Sequence, residues 1–412
     1  MTSTSQDRIS KLLAEAARAA LTLMVVFTLG AFASQFARAQ NFTTLYNFTN
    51  GTDGSSPLSG VAQDQSGNLY GTTPVGGPGG LGGYGVVYEV DTAGSETVLH
   101  TFAGPPSDGS APSPPLLRDG NGNLYGTAQS GGTNNLGVVY KIDTAGNETI
   151  LHNFADETTD GCIPAQGLIM DKSGDLYGTT ILCGASNKGT VFKLTPNGKE
   201  TLLHSFGGSP DGAFPAYGHL LMDAKGNLYG TASEGGVNGI GVVYKLTPKG
   251  KLTVLHSFPA GSEDGCYPYG TPAVDKSGNL YGTTESYPSC LSNKGIVWKV
   301  NRQGVETILH RFTGGVSDGA YPYAGVVLDS KGNMYSVTTG GGANNHGIIY
   351  QLSKSGKLTV LHSFDDSDGE GPIGEVLRDA NGALYGTTEV GGTGNGCSYY
   401  GCGTVWGVQV TF

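Results

Sequence analysis

Short apolar stretches alternate with clusters of Gly, Pro, Asn and Asp along most of the chain, and this pattern predicts β-strands joined by tight turns. The stretches are five to eight residues long and rich in Val, Leu, Tyr and Thr, as strands commonly are. In the fourth copy of the pattern they are residues 216–223, 227–232, 241–246 and 252–258. An Asp-x-x-Gly turn follows the first stretch of each copy, where Asp can bind the turn amides and Gly can take a left-handed conformation.

The phrase Leu-His-x-Phe ends each group of four stretches and identifies the groups as repeats. It begins at Leu99, Leu151, Leu203, Leu255, Leu309 and Leu361, in steps of 52 or 54 residues, and a variant copy begins at Leu45. A fixed period of this kind is typical of propellers, in which each repeat forms one four-stranded blade. We therefore predict an all-β, seven-bladed β-propeller over residues 41–412. Its predicted blades are 57–102, 112–154, 164–206, 215–258, 268–312, 322–364 and 372–412, the last completed by 42–48.

The two ends of the repeat region complement each other. Residues 42–48 match the fourth strand of a repeat without the first three, and residues 403–408 match a third strand without a fourth. We predict that these two segments pair and close the ring, because closure removes the exposed sheet edges of an open array.

Residues 1–39 have the features of a signal peptide. A basic start is followed by an apolar run over 19–33, and the small residues Ala37 and Ala39 suit signal peptidase. The run is shorter than the roughly 20 residues of a spanning helix, although an uncleaved anchor is the alternative. We expect a protein that is secreted, periplasmic or at the cell surface, with no membrane span once this segment is removed.

The charge balance excludes some classes of partner. The chain has 23 Lys and Arg against 34 Asp and Glu, and removal of the leader leaves 19 against 32, a net charge of −13. Nucleic acids and anionic membrane surfaces are bound by basic patches, so neither is an expected partner. We expect a monomer.

The third strand of every repeat carries the pattern Gly-x-Val-(Phe/Tyr)-x-(Leu/Val). It stands at 85–90, 137–142, 189–194, 241–246, 295–300, 347–352 and 403–408. Through these seven copies the chain resembles the GloVer tandem-repeat family of secreted bacterial proteins. Trp298 and Trp406 in place of the usual aromatic residue, and Ile349 in place of Val, are small departures. The resemblance implies secretion and repeat architecture, with no established activity. A looser similarity to NHL-type propellers accompanies it.

The six cysteines fall into three pairs by their places in the repeats. Repeats three and five carry the same two, in the loops entering the first strand and leaving the second, and no other repeat carries half of this pair. The last two cysteines share one loop of repeat seven. In an oxidising compartment this arrangement predicts disulfides, whereas the spacing disfavours a zinc site. The predicted pairs are Cys162–Cys183, Cys266–Cys290 and Cys397–Cys402.

The six histidines of the repeated phrase are not expected to bind a metal. Equivalent atoms on the outer strands of seven blades lie about 13 Å apart, whereas zinc needs ligands within about 2.1 Å. We interpret these histidines as packed, hydrogen-bonded residues between blades, and we predict no metal or cofactor.

A ring of acidic residues precedes the first strands. Its members are Asp53, Asp108, Asp160, Asp211, Asp264, Asp318 and Asp368, each followed by Gly. They can cap turns, or they can accept hydrogen bonds from sugar hydroxyls or coordinate calcium, although the chain lacks the acidic spacing of an EF-hand. Asp53, Asp318 and Asp368 are candidate ligand-binding residues.

Loop lengths differ between repeats, and this asymmetry indicates where a ligand could bind. The loop from the second to the third strand spans 14 residues in repeat one and 17 in repeat seven, against 11 in most others. These long loops place Tyr84, Tyr399 and Tyr400 on the face that carries the cysteines, together with Tyr321 from another loop. Aromatic rings near acceptors suit carbohydrate or extended peptides, although such tyrosines can also plug the mouth of a propeller.

The sequence therefore favours a binding or scaffolding module for a glycan or an extracellular protein. No nucleophile elbow, phosphate loop or His-x-x-x-His motif is present, and we predict no catalytic residue. An extracellular lyase or hydrolase of propeller type, or a purely structural surface protein, remains the alternative. A unique Asp or His cluster at the ring axis would favour an enzyme, whereas an axis of Gly, Thr and Tyr would count against it. His219 and His346 are the only histidines outside the phrase, and His346 has no obvious partner in sequence.

Overall fold

The computed structural model describes residues 41–58, 60–155, 158–215, 218–259, 265–285, 294–394, 396–397 and 401–410. In chain order their strands are β1 (Asn41–Asn47), β2 (Ala62–Gln63), β3 (Leu69–Thr73), β4 (Val86–Val90), β5 (Glu96–Thr101), β6 (Gly109–Arg118), β7 (Leu124–Gly131), β8 (Val138–Ile142), β9 (Glu148–Asn153), β10 (Ile169–Met170), β11 (Leu176–Thr180), β12 (Thr190–Leu194), β13 (Glu200–Ser205), β14 (Leu221–Met222), β15 (Leu228–Ala232), β16 (Val242–Leu246), β17 (Leu252–Ser257), β18 (Ala273–Val274), β19 (Leu280–Thr284), β20 (Ile296–Val300), β21 (Glu306–Arg311), β22 (Gly319–Ala320), β23 (Val327–Leu328), β24 (Met334–Thr338), β25 (Gly340–Gly341), β26 (Ile348–Leu352), β27 (Leu358–Ser363), β28 (Leu377–Arg378), β29 (Leu384–Thr388) and β30 (Thr404–Gln409). A short 3-10 helix spans Gly80–Gly82, and the described part of the chain contains no helix of the length and apolarity needed to cross a bilayer.

The strands form seven four-stranded sheets, which confirms the predicted seven-bladed propeller. In chain order these blades 1 to 7 are β2–β5, β6–β9, β10–β13, β14–β17, β18–β21, β23-β24-β26-β27 and β28-β29-β30-β1, and β22 pairs separately with β25. Blade 7 is completed by β1 beside β30, and the Phe48 N–H donates to the Gly403 carbonyl at 3.1 Å. The predicted pairing of 42–48 with 403–408 is therefore confirmed.

The first strand has only two residues in six of the seven blades, which is shorter than the sequence predicts, whereas β6 of blade 2 has ten. The sequence predicts a strand over 216–223, but within the described part of this stretch, 218–223, only Leu221–Met222 pairs with β15. The first strand is the inner edge of its sheet and has a neighbour on one side only. Just before it, Phe214 has a left-handed backbone (φ 54°) ahead of Pro215, which turns the chain away from a regular ladder.

The hydrophobic core lies between neighbouring blades. The Phe that ends each repeat packs edge-on against the third-strand aromatic residue of the next blade, as Phe206 does against Tyr244 with ring centroids 5.2 Å apart. That aromatic ring lies over the second-strand glycine of its own blade, because a Cβ at Gly230 would stand 2.5 Å from the Tyr244 hydroxyl. The family pattern Gly-x-Val-aromatic therefore encodes the contact between blades.

A backbone hydrogen bond also joins each blade to the next. The donor is the N–H of the residue that precedes the proline in the loop entering each first strand. The acceptor belongs to the preceding blade and is the carbonyl of the residue just before the third-strand glycine. The donor–acceptor pairs are Ser56–Cys402, Ala111–Tyr84, Ile163–Leu136, Phe214–Lys188, Tyr267–Ile240, Tyr321–Lys294 and Gly371–His346. Every donor has a positive φ between 53° and 63°. The loops of one face are therefore held in a fixed relation around the ring.

Candidate functional site

The first strands of all seven blades surround one central cavity of about 700 Å³. Counting back four residues from the Asp of each Asp-x-x-Gly turn gives one equivalent position per blade, which we call the axial position. Its occupants are Gly60, Pro115, Gly167, His219, Thr271, Gly325 and Glu375. Four of these lack a polar side chain, so the three polar ones stand out on the ring.

The polar side chains at the axial position meet one another. His219 Nδ1 of blade 4 lies 3.1 Å from Glu375 Oε2 of blade 7 and 3.1 Å from Thr271 Oγ1 of blade 5. The Thr271 N–H donates to Glu375 Oε1 at 3.0 Å. Blades 4 and 7 are not neighbours, so the contact between His219 and Glu375 spans the channel. Viewed from the loop face, these side chains form the floor of the channel.

The electrostatics of this cluster favour an ion pair. Burial acts to lower the pKa of His219, but the charge and the hydrogen bond of the Glu375 carboxylate together outweigh burial and raise it. Burial acts to raise the pKa of Glu375, whereas the charge and hydrogen bond of His219 and the bonds from Thr271 lower it. Within the described residues the other ring nitrogen of His219, Nε2, has no hydrogen-bond partner, and 26% of the side chain is exposed. This nitrogen is available to a ligand in the channel.

A second cavity of about 320 Å³, which we call the axial pocket, lies between this cluster and the loop face. Pro115 and Glu375 line both cavities, so the axial pocket adjoins the deeper channel at these two residues. The side chain of Tyr323 forms part of the wall and stacks on Tyr269, with ring centroids 5.5 Å apart and 19° between the planes. The rest of the lining is mainly apolar with two amides: Leu58, Pro114, Pro115, Gln129, Ala165, Gln166, Ile181, Ile373 and Gly374. This lining of few polar groups in an apolar wall is typical of ligand pockets.

The predicted acidic ring is bonded within its own loops. Asp53 accepts hydrogen bonds from the Tyr46 hydroxyl at 3.0 Å and from the Thr49 N–H at 2.7 Å. Asp318 and Asp368 lie 3.0 and 2.8 Å from the histidines of the preceding blades, His310 and His362, and both also accept backbone N–H groups. These contacts fix the loops and give the repeated histidines their partners. A direct role of these acids in ligand binding remains a prediction.

Of the predicted tyrosines, Tyr84 and Tyr321 lie at the rim of the loop face and do not line the axial pocket. Tyr84 is 44% exposed and its ring lies against Gly104, and Tyr321 is 39% exposed. Tyr399 and Tyr400 lie outside the described residues. None of the described candidates Tyr84, Tyr321, Asp53, Asp318 and Asp368 lines the axial pocket, and a role of these residues in binding remains a prediction.

Two of the predicted disulfides are present. Cys162 is bonded to Cys183 and Cys397 to Cys402. Cys266 is also disulfide-bonded, and its predicted partner, Cys290, lies outside the described residues.

Sequence reasoning noticed His219 but missed its partners. Thr271 and Glu375 are unremarkable by themselves, because each is a common residue in a loop ahead of a short strand. The signal becomes visible only when the repeats are aligned on the turn aspartate. The axial position is then Gly or Pro in four repeats and His, Thr or Glu in three.

These features define a closed β-propeller with a pocket on its axis. The chain belongs to the Gloeobacter/Verrucomicrobia repeat family, whose sequence model matches residues 27–221, 78–291 and 216–410. The match confirms the resemblance seen in the repeated pattern. No curated protein matches the sequence.

Solved propellers share this fold at low sequence identity. Virginiamycin B lyase from Staphylococcus aureus has a TM-score of 0.59 and 12% identity, covering 90% of this chain and 99% of its own. A streptogramin B lyase has a TM-score of 0.58 and 13% identity, covering 90% and 98%. The extracellular domain of a one-component system from B. thetaiotaomicron has a TM-score of 0.56 and 13% identity, covering 90% of this chain and 40% of that one. At these identities the likeness establishes the fold alone.

Proposed function

We propose that the protein is an exported binding module that takes the end of a neutral glycan chain into the axial pocket from the loop face. The observation that supports this most is the pocket of about 320 Å³ with an aromatic wall, two amides and one carboxylate at its floor. Its volume is at the lower end of the range for ligand pockets, about 300–1,000 Å³, so one or two sugar rings would fill it.

The chemistry of the lining favours a sugar. The face of Tyr323 can pack on the apolar face of a pyranose ring, while Gln129, Gln166 and Glu375 can bond hydroxyl groups. The chain carries an excess of acids, and the floor carries a carboxylate, so an acidic polysaccharide would be repelled. An extended peptide is the alternative ligand of the same pocket.

Export is part of the proposal. Disulfides persist in oxidising compartments, and Cys162–Cys183 and Cys397–Cys402 are both bonded. The proposed signal peptide, residues 1–39, lies outside the described residues. Fractionation of cells that produce the full chain would test this part, and protein retained in the cytoplasm with reduced cysteines would contradict it.

A glycan array and a pull-down with cell-wall material test the binding proposal. We expect a neutral glycan to bind, and we expect Tyr323→Ala and Glu375→Gln to weaken binding at least about tenfold, a loss of roughly 1.4 kcal/mol. Tyr84→Ala is the matched control, because this tyrosine lies on the rim of the same face. Silence in both assays, or binding that survives both axial variants, would overturn the proposal. If binding were lost only in Tyr84→Ala or in a Tyr399→Ala/Tyr400→Ala variant, the glycan would bind at these tyrosines and not in the axial pocket.

The axial cluster also favours a second candidate function, an extracellular hydrolase acting in the central cavity, which His219 lines. A carboxylate that holds Nδ1 of an imidazole leaves Nε2 directed to a reactant, which is how a general acid or base is positioned. Neither Thr271 nor the axial glycines can act as a second general acid, so the proposed catalysis depends on His219. Incubation of bound glycans followed by an assay for new reducing ends, which hydrolysis by water releases, would test it. We expect His219→Gln to abolish turnover while binding is retained, and an absence of products from every bound glycan would remove this candidate.

A further inference from the structure

The loop face contains a group of three potential metal ligands that lies outside the axial pocket. His346 Nδ1 is 3.2 Å from Asp366 Oδ1 and 3.2 Å from Glu370 Oε2. All three ligand atoms lie within 4.8 Å of one another. Among the described residues, Nδ1 has no hydrogen-bond partner and is itself buried. The Asp366 and Glu370 oxygens therefore lie close to His346 Nδ1, but neither forms a hydrogen bond of regular geometry with it.

The backbone around this group is fixed on every side. The His346 carbonyl accepts the Gly371 N–H at 3.1 Å, and the Asp366 carbonyl accepts the Gly392 N–H at 2.8 Å. Glu370 exchanges two backbone hydrogen bonds with Val390, at 2.9 and 3.2 Å. The three side chains therefore project from anchored loops, two of them from the segment that joins blade 6 to blade 7.

The same place is filled differently at the other blade interfaces. The counterpart of His346 is Tyr84 in blade 1 and Lys188 in blade 3, and their side chains lie over glycines of the following loop, Gly104 and Gly208. At the blade 6–7 interface the loop position is an acid, Asp366. The chemistry is therefore specific to one interface and is not a by-product of the repeat.

The counterpart of Glu370 in blade 3 is Cys162, which is cross-linked to Cys183. Both residues follow the Asp-Gly pair of their loops, and each forms the same kind of isolated bridge to the segment leaving the second strand. A metal held by Glu370 would thus fasten the loops at a place where another blade uses a covalent link.

The spacing and the donor types select the metal. Two ligand atoms that are each about 2.0–2.1 Å from a tetrahedral Zn²⁺ stand about 3.3 Å apart, close to the two separations of 3.2 Å. An imidazole with two carboxylates suits Zn²⁺, and it disfavours Ca²⁺, which takes oxygen ligands only.

We infer that His346, Asp366 and Glu370 form a Zn²⁺ site with three protein ligands and one open position, which fastens the blade 6 loop to the start of blade 7. This site goes beyond the proposed glycan binding and does not depend on it.

A second group of similar composition serves as the comparison. His100, Asp108 and Glu148 also lie within ligand distance of one another. The Asp108 carboxylate already accepts the N–H groups of Ala103 and Gly109, and His–Asp pairs of this kind recur in other blades. We assign this group to the packing of the blades.

Calorimetric titration of the full, tag-free protein with ZnCl₂ after chelator treatment tests the inference. We expect one equivalent to bind with a dissociation constant below about 100 μM, and we expect CaCl₂ not to compete. His346→Ala and Glu370→Gln should each weaken binding at least about tenfold. Asp366→Asn should also weaken it, and this variant will keep the fold because the Asp366 side chain is 82% exposed. Zn²⁺ should raise the Tm of the wild-type protein but not of His346→Ala.

Two control variants complete the design. His219→Gln and Glu148→Gln should bind Zn²⁺ as the wild type does. Failure of the wild type to bind, or Zn²⁺ binding that is unchanged in all three site variants, would overturn the inference. Binding lost in Glu148→Gln but kept in His346→Ala would also overturn it, because the ion would then belong to the comparison group.

Discussion

The ring of Phe42 in the amino-terminal strand lies flat on the imidazole of His362 in blade 6, with centroids 3.6 Å apart and 3° between the planes. Phe42 also meets Phe364 edge-on at 5.7 Å. The outer strands of blades 1, 2, 3 and 5 have a glutamate at the position equivalent to Phe42, as at the start of Glu96–Thr101. The closing strand therefore carries an aromatic side chain where the ring is joined.

Replacement of this ring tests how closure contributes to stability. We expect Phe42→Ala to lower the free energy of unfolding by roughly 2–3 kcal/mol, since it removes a half-buried aromatic side chain and its stacking. Thr43→Ala, on the exposed side of the same strand, is the control and should stay within about 0.5 kcal/mol. Urea denaturation measures the free energy of unfolding of each variant. An equal loss in both would show that the stacking of Phe42 on His362 contributes nothing to stability.

The glutamates between blades should make stability depend on pH. Burial, and then the charge of a nearby loop aspartate, raise the pKa of Glu96, Glu148 and Glu200 to about 7. Their usual value is 4.5, so between about pH 4.5 and 7 the folded protein binds more protons than the unfolded chain. The free energy of unfolding should therefore fall as the pH rises through this window.

Two neighbouring groups, His100 and Asp108, also contribute to the pH profile. Burial opposes the charged form of His100, but its bonds to Asp108 prevail and raise its pKa, so its contribution is also lost as the pH rises. Burial likewise opposes ionisation of Asp108, but its hydrogen bonds lower the pKa, so its contribution is lost as the pH falls below about 3.8. We expect the highest Tm between about pH 4 and 5, with a decline toward pH 8.

Variants at these glutamates identify the cause of the decline. A Glu148→Gln/Glu200→Gln double variant should show a flatter fall of Tm between pH 5 and pH 8 than the wild type. Asp366→Asn, at an exposed acid, should leave the slope unchanged. An unchanged slope in the double variant would assign the pH dependence to other groups.

The two described disulfides should differ in their effects on stability. Cys162–Cys183 spans 21 residues and Cys397–Cys402 only five. The loop-closure entropy gives about 3 kcal/mol for the first and about 2 kcal/mol for the second. We expect Cys162→Ala/Cys183→Ala to lower the free energy of unfolding more than Cys397→Ala/Cys402→Ala, as urea titration would show. The reverse order would mean that native contacts of the blade 7 loop outweigh chain entropy.

The glycine beneath each third-strand aromatic residue should resist substitution. Gly230→Ala would place a Cβ 2.5 Å from the hydroxyl of Tyr244, so the ring must shift. Blade 6 has Ser336 at this place and directs its hydroxyl to the Gly325 carbonyl at 2.7 Å, which shows that a shift is possible. We expect a cost of about 1–2 kcal/mol in thermal unfolding. Gly120→Ala, which would meet nothing within 4 Å, is the control, and an equal cost there would refute the packing argument.

The fold was predictable because its determinants are repeated. Seven copies of one phrase give the number of blades, and the complementary phrases at 42–48 and 403–408 give the closure. The short first strands were not predictable, because strand length depends on neighbours in space. Leu220 is as apolar as Leu221 and Met222, yet of these three residues only the last two pair with β15.

The axial cluster was not predictable, because it joins residues that are far apart in the sequence. His219 and Glu375 belong to different repeats, and only the radius of the closed ring decides whether their side chains meet. His346 is a similar case. It had no partner in its own loop, and its two acidic neighbours come from the segment leading to blade 7. The repeated pattern therefore predicts the framework. It does not predict contacts made by residues at which one copy differs from the others.

The axial position has a consequence for how this family can change over time. The aromatic and glycine pairs that hold blade to blade lie further out, whereas the axial glycines lie against the backbone of the preceding blade. A Cβ at Gly60 would stand 2.5 Å from the Glu375 carbonyl oxygen, and one at Gly325 would stand 2.3 Å from the Thr271 carbonyl oxygen. The side chains of Glu375 and Thr271 are therefore each accompanied by a glycine in the next blade, so the repeats cannot diversify there independently. Related propellers with the same framework are expected to change their axial residues in compatible combinations.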